Sequence, residues 1–149
     1  MDINKKDISK GLIAGLIATV ALTAIMMIKS TMGIMPDFNP VQILADTVTD
    51  TLGLSQTPVL GWFLHFGLGS VIWGLSFTTF NNILPGKSQV AKGLYLGVIA
   101  WGFMMLGLMP IAGFGMFGLL LSMKVPVMTL MLHLVFGFAL GLSYKKLAS

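Results

Sequence analysis

The chain has 149 residues, 56% of them hydrophobic and only 9% charged, with a mean hydropathy of +0.91. Soluble domains carry about 25% charged residues, so this balance excludes a soluble globular domain and points to an integral membrane protein. The net charge of +4 rests wholly on lysine, and the absence of cysteine, glutamate and arginine removes disulfides and thiolate metal sites from consideration.

A bilayer core about 30 Å thick needs roughly 20 apolar helical residues per crossing, because lipid offers the backbone no hydrogen-bonding partner. The first such segment runs from Gly11 to about Ile34, behind the charged stretch NKKDISK. It is too long for the apolar core of a signal peptide and reads as a retained span. Lys29, near its end, is expected to snorkel towards the headgroups.

The stretch NPVQILADTVTDTLGL follows. Asn39 suits an N-cap and Pro40 the first helical position, so a short amphipathic helix is expected, lying flat on the outer surface. Val41, Leu44, Val48 and Leu52 make its apolar stripe, with Gln42, Asp46 and Asp50 on another face. Asp37, Asp46 and Asp50 form the one acidic patch, read as a solvated face.

The second span runs from about Pro58 to Phe80 and contains His65. The third begins near Gly93 and reaches at least Met109, after which Pro110 and a glycine-rich run through Gly118 allow a kink, a loop or a re-entrant segment. The fourth, from about Val125 to Tyr144, contains His133, the only other histidine.

In this four-span arrangement Lys5, Lys6, Lys10, Lys87, Lys92, Lys145 and Lys146 fall on one side, and Lys29 and Lys124 on the other. Lysine enrichment marks cytoplasmic loops, so both termini are placed in the cytoplasm of a bacterial inner membrane. The pI of 9.6 is then a matter of topology and implies no nucleic-acid partner.

Four matches recur in the same order. KGLIAGLIA (10–18) matches KGLYLGVIA (92–100), and MGIMP (32–36) matches LGLMP (106–110). PVLGWFLHF (58–66) matches PVMTLMLHL (126–134), and GLSF (74–77) matches GLSY (141–144). The expected fold class is therefore all-α integral membrane. Four transmembrane helices form two tandem, parallel-related helical hairpins, with the amphipathic periplasmic helix between helices 1 and 2. One membrane domain (1–149) would contain a first hairpin repeat at 10–80 and a second at 92–146, related by a pseudo-twofold axis along the membrane normal. Gly11 and Gly15, like Gly93 and Gly97, form small-xxx-small faces for close helix approach.

Ionisable residues inside spans are uncommon and mark function when a partner can be named. Each histidine lies seven residues after its proline, about 10 Å along a helix, so each is the other's candidate partner. Gly61 and Gly69 flank His65 at four residues on either side, and Thr129 and Gly137 flank His133. Small flanking residues clear space for something flat, so the cofactor-binding candidates are His65, His133, Gly61, Gly69 and Gly137. Axial ligation of haem b by the two histidines would make the protein a redox or electron-transfer subunit. A competing Cu(I) set combines the histidines with Met35 and Met109, because imidazole and thioether suit that ion. The third reading gives the histidines a packing role, each donating to a carbonyl or hydroxyl, in an accessory subunit of a membrane complex without cofactor. The expected partners are the lipid bilayer and a homo-oligomer or larger complex. With all five aspartates outside the spans and no phosphate-binding loop, no catalytic constellation competes.

The opening KGLIAGLIAT, MPDFNP after the first span and a histidine-bearing second span resemble small bacterial inner-membrane proteins of the YagU-like, domain-of-unknown-function type. That resemblance implies a multi-pass membrane fold and carries over no activity.

Overall fold

The computed structural model describes residues 5–55 and 57–148. The ends of the domain at Met1 and Ser149, and the side chains of Lys6 and Pro58, lie outside the described residues. Four helices are long and apolar enough to cross a membrane, and the chain is a multi-pass, all-helical membrane protein. Helix α1 is Lys5–Thr31 and α2 is Pro40–Leu52. Helix α3 spans residues 58–80, with a π-helical turn at Leu68–Trp73, and α4 is Gln89–Ile111, with a second π-helical turn at Met104–Leu108. Helix α5 is Val125–Ala148.

Helices α1 and α5 form the central pair; α3 packs on α1, and α4 packs on α5. Ala14 and Ala18 of α1 leave room for Phe136 and Leu140 of α5, and Phe77 meets Tyr144 edge-on at 5.0 Å in the same cluster. Backbones come close wherever glycine removes the side chain. A Cβ on Gly15 would stand 2.6 Å from the Gly69 carbonyl oxygen and 3.0 Å from the Gly74 Cα. On the other pair, a Cβ on Gly97 would stand 3.3 Å from the Gly137 Cα and against the His133 carbonyl. Both predicted glycine faces are thus helix contacts.

The π-helical turn in α3 has a countable cause. Gly137 and Gly141 are four residues apart, but Gly69 and Gly74 are five apart. The Gly74 N–H donates to the Gly69 carbonyl, a five-residue step, and this wider turn returns both glycines to the face that meets α1. The methionine-proline matches, in contrast, sit in different settings. Met32–Pro36 lies in the turn after α1, where Gly33 has φ +65°, whereas 106–110 lies within α4.

Helix α2 starts as its sequence predicts, with the Asn39 side chain accepting from the Val41 and Gln42 N–H groups. Its buried face differs from the predicted stripe: Val41, Ile43, Ala45 and Thr49 are buried, while Leu52 is 65% exposed. The reason is Gly61 on α3, which lets the α2 backbone approach so closely that small side chains, not large ones, fill the interface. A Cβ on Gly61 would stand 2.7 Å from the Val41 carbonyl oxygen and 3.1 Å from the Ala45 Cβ.

Lys29 does not snorkel. It is 8% exposed, and its ammonium donates to the carbonyls of Met35 (3.1 Å) and Phe38 (2.9 Å) while lying over the Phe38 ring. The Met35 carbonyl also accepts the Phe38 N–H at 3.1 Å, and the charged donor it shares with the Phe38 carbonyl fixes the turn containing Met35 at φ +50°. Replacement Lys29→Met should cost about 1–3 kcal/mol, the penalty for a stranded buried acceptor, read as a lower melting temperature in detergent.

Residues 112–124 do not extend α4; they form turns with a short 3-10 turn at Met116–Gly118. Pro110 sits in the last turn of α4, and the following chain folds over the end of the bundle. Phe114, Phe117 and Leu121 pack against Met105, Met109 and Val125.

Candidate functional site

Helices α3 and α4 stand apart over the α1–α5 pair, and the space between them is a half-open cavity of about 940 Å³. Pockets for small molecules typically span about 300–1,000 Å³, so this is room for a large ligand. Its wall runs from Leu44 and Ile111 at the α2 end to Phe80 and Leu84 at the opposite end. Among the described residues no lysine or aspartate lines it, and its ionisable side chains are His65 and His133. Both π-helical turns border it, through Leu68, Gly69 and Ile72 on α3 and Met104, Gly107 and Leu108 on α4. Such turns widen a helix locally and recur at functional sites.

The two histidines therefore share one cavity. His133 is held by its own helix: Nδ1 lies 2.8 Å from the Thr129 carbonyl oxygen. A carbonyl only accepts, so Nδ1 carries the proton, and in the neutral ring Nε2 carries the lone pair. His65 reaches across to α1, where its Nε2 lies 3.1 Å from Thr23 Oγ1. The Thr23 hydroxyl donates to the Thr19 carbonyl at 2.8 Å. That bond is the shorter of the two Thr23 makes, so we assign its proton there and His65 Nε2–H as the donor to Thr23, which leaves Nδ1 of the neutral ring bare.

Two hydroxyls of the wall are bonded within the protein. Thr19 Oγ1 donates to the Gly15 carbonyl at 2.7 Å, and Thr129 Oγ1 to the Val125 carbonyl at 2.7 Å. Trp101, at the α2 end of the bundle, donates Nε1–H to the Pro126 carbonyl (3.0 Å) and to Thr129 Oγ1 (3.1 Å). These bonds fix the start of α5, which carries His133 about two turns further on. Trp101→Phe should remove about 1 kcal/mol of stability with little change in packing, measurable by thermal denaturation.

The three candidate glycines do not clear space for a planar group. Gly61 is covered by α2, a side chain at Gly69 would meet Thr19, and one at Gly137 would meet the Gly93 carbonyl. Each gap is taken by protein, although Gly69 still borders the cavity. Met35 and Met109 are likewise not beside the histidines: they pack in the cluster at the α2 end, with Met109 fully buried. The methionines on the cavity wall are Met26 and Met104. No group of three or more His, Cys, Asp or Glu side chains is close enough to hold a metal ion among the described residues.

Thr23 escaped the sequence reading, although a signal was present. Thr19 and Thr23 are one helical turn apart in an otherwise apolar span, the spacing that puts two hydroxyls on one face.

Comparison with known proteins finds one family, a family of unknown function (DUF6789), whose match covers residues 5–149. No curated protein matches the chain, and no solved structure does.

Proposed function

We propose that this chain, which belongs to the family of unknown function DUF6789, is a non-catalytic membrane protein that binds an apolar small molecule between α3 and α4. The observation that carries the reading is the cavity itself: about 940 Å³, walled by aliphatic and aromatic side chains, with two imidazoles as its ionisable groups. An apolar wall with few placed polar groups is the usual make-up of a ligand site. The ligand's body lies along Leu68, Ile72, Leu96 and Ile99, and its polar end lies at His65 and His133.

Haem b is the second reading, and the hydrogen bond from His133 Nδ1 to the Thr129 carbonyl supports it. Metal-bound histidines commonly anchor the other ring nitrogen in this way. Against it, His65 Nε2 is engaged by Thr23, and the wall offers no lysine to the propionates. Absorption spectra of the purified protein, oxidised and reduced, separate the two. The apolar-ligand reading expects a colourless protein whose solvent extract contains a stoichiometric apolar molecule. A Soret band lost on replacing either histidine would give the site to haem, and a ligand-free protein with no band would leave the histidines with packing alone.

The chain sits in a bacterial inner membrane with both termini cytoplasmic. Support comes from Lys10, Lys87, Lys92, Lys145 and Lys146, which occupy the end of the bundle opposite α2. Reporter fusions at Ser149 and in the 37–55 loop should report cytoplasm and periplasm respectively; the reverse pattern would overturn the orientation.

A further inference from the structure

The geometry points to a ligand whose polar end is a hydrogen-bond donor, an O–H group on an apolar body, received by the bare ring nitrogens of His65 and His133. This deepens the reading of the cavity as a ligand site and rests on it.

His133 gives its ring proton to the Thr129 carbonyl at 2.8 Å, and His65 gives its own to Thr23 Oγ1 at 3.1 Å, whose proton is committed to the Thr19 carbonyl. Both donors are spent inside the protein, so each neutral ring retains only a lone pair. Thr19 and Thr129 have likewise directed their protons to carbonyls of their own helices. The wall's other donors lie away from the histidines: the Trp73 indole N–H and the Ser76 hydroxyl are eight and eleven residues beyond His65 on α3, about 12 and 16 Å along the helix. The histidine region therefore offers acceptors to the cavity. An apolar molecule with only acceptors, such as a quinone or an ester, would set lone pair against lone pair there and lose its hydrogen bonds with water without replacement. A quinol, a diacylglycerol or another lipid alcohol brings the missing proton. These share one chemistry, and their redox activity tells them apart.

The test uses the full-length protein in mild detergent and three probes: decyl-ubiquinol under reducing conditions, its di-O-methyl ether, and 1,2-dioctanoylglycerol. Binding is measured by quenching of tryptophan fluorescence, with protection against thermal unfolding as an independent readout. At least one of the two O–H probes should bind about tenfold more tightly than the ether, the effect of one satisfied hydrogen bond. His133→Phe should bring that probe down to the ether's affinity. Preference for the quinol identifies a redox lipid, and preference for the diacylglycerol a neutral lipid alcohol. If ether and alcohol bind equally, the donor inference is overturned while the cavity remains a ligand site. If no probe binds wild type, both readings fail. The ether comparison is made on wild type, so it stands even if His133→Phe does not fold.

Discussion

Gly137→Val should strongly destabilise the folded bundle. A Cβ at Gly137 would meet the Gly93 carbonyl oxygen, with the Gly93 carbonyl carbon at 2.9 Å and the Leu94 Cα at 3.1 Å. All three are backbone atoms of α4, so no rotamer change relieves the clash and the helices must separate. Overpacking costs about 1–3 kcal/mol and occasionally more, and a backbone clash belongs at the upper end. With a shift of roughly 2–4 °C per kcal/mol for chains of about this size, the variant should melt at least about 6 °C lower or fail to give a single peak in size exclusion. Gly102→Ala is the internal contrast: its Cβ would have no neighbour within 4 Å. Alanine in a helix interior is favoured over glycine by about 0.5–1 kcal/mol, so that variant should be at least as stable as wild type.

Gly107→Phe should empty the ligand site without disturbing the fold. Gly107 borders the cavity, and a Cβ there would have nothing within 4 Å. A side chain can therefore leave the backbone here without a clash at its first atom, and a phenyl ring beside the cavity takes volume from the ligand. Affinity for an apolar ligand should fall by at least tenfold, with the melting temperature of the ligand-free protein unchanged. Unaltered ligand content in this variant would move the site elsewhere. His133→Phe attacks the same site through its polar contact, so the two variants separate lost volume from a lost hydrogen bond.

The sequence made the four spans and the cap of α2 legible because each depends on local chemistry. Length and apolarity define a crossing, and Asn39 followed by Pro40 defines a helix start whatever lies nearby. The glycine faces were legible as contacts but not as partners. Glycine announces that something approaches closely, and at Gly61, Gly69 and Gly137 the approaching atoms belong to α2, Thr19 and Gly93. The same local pattern fits a cofactor and a neighbouring helix, so only tertiary placement decides between them.

Lys29 and the α2 stripe escaped for a related reason. Snorkelling is the expectation for a lysine that ends an isolated span. Here the following turn folds back and offers the Met35 and Phe38 carbonyls, a demand that appears only once the chain reverses. The stripe of Val41, Leu44, Val48 and Leu52 follows hydrophobicity, whereas the actual face follows the depth of the notch at Gly61. Leu44 borders the ligand cavity instead. The pairing of His65 and His133 was visible in their repeated frame, but the direction of their protons required Thr23 and the Thr129 carbonyl to be in place.

Native mass spectrometry of the protein released from its own membrane tests the central claim most directly. The account predicts one apolar molecule of defined mass bound per chain in wild type, retained at collision energies that strip annular lipid, and absent from Gly107→Phe. Identical lipid adducts on wild type and Gly107→Phe, or a wild-type chain that reaches its bare mass as readily as the variant, would contradict it.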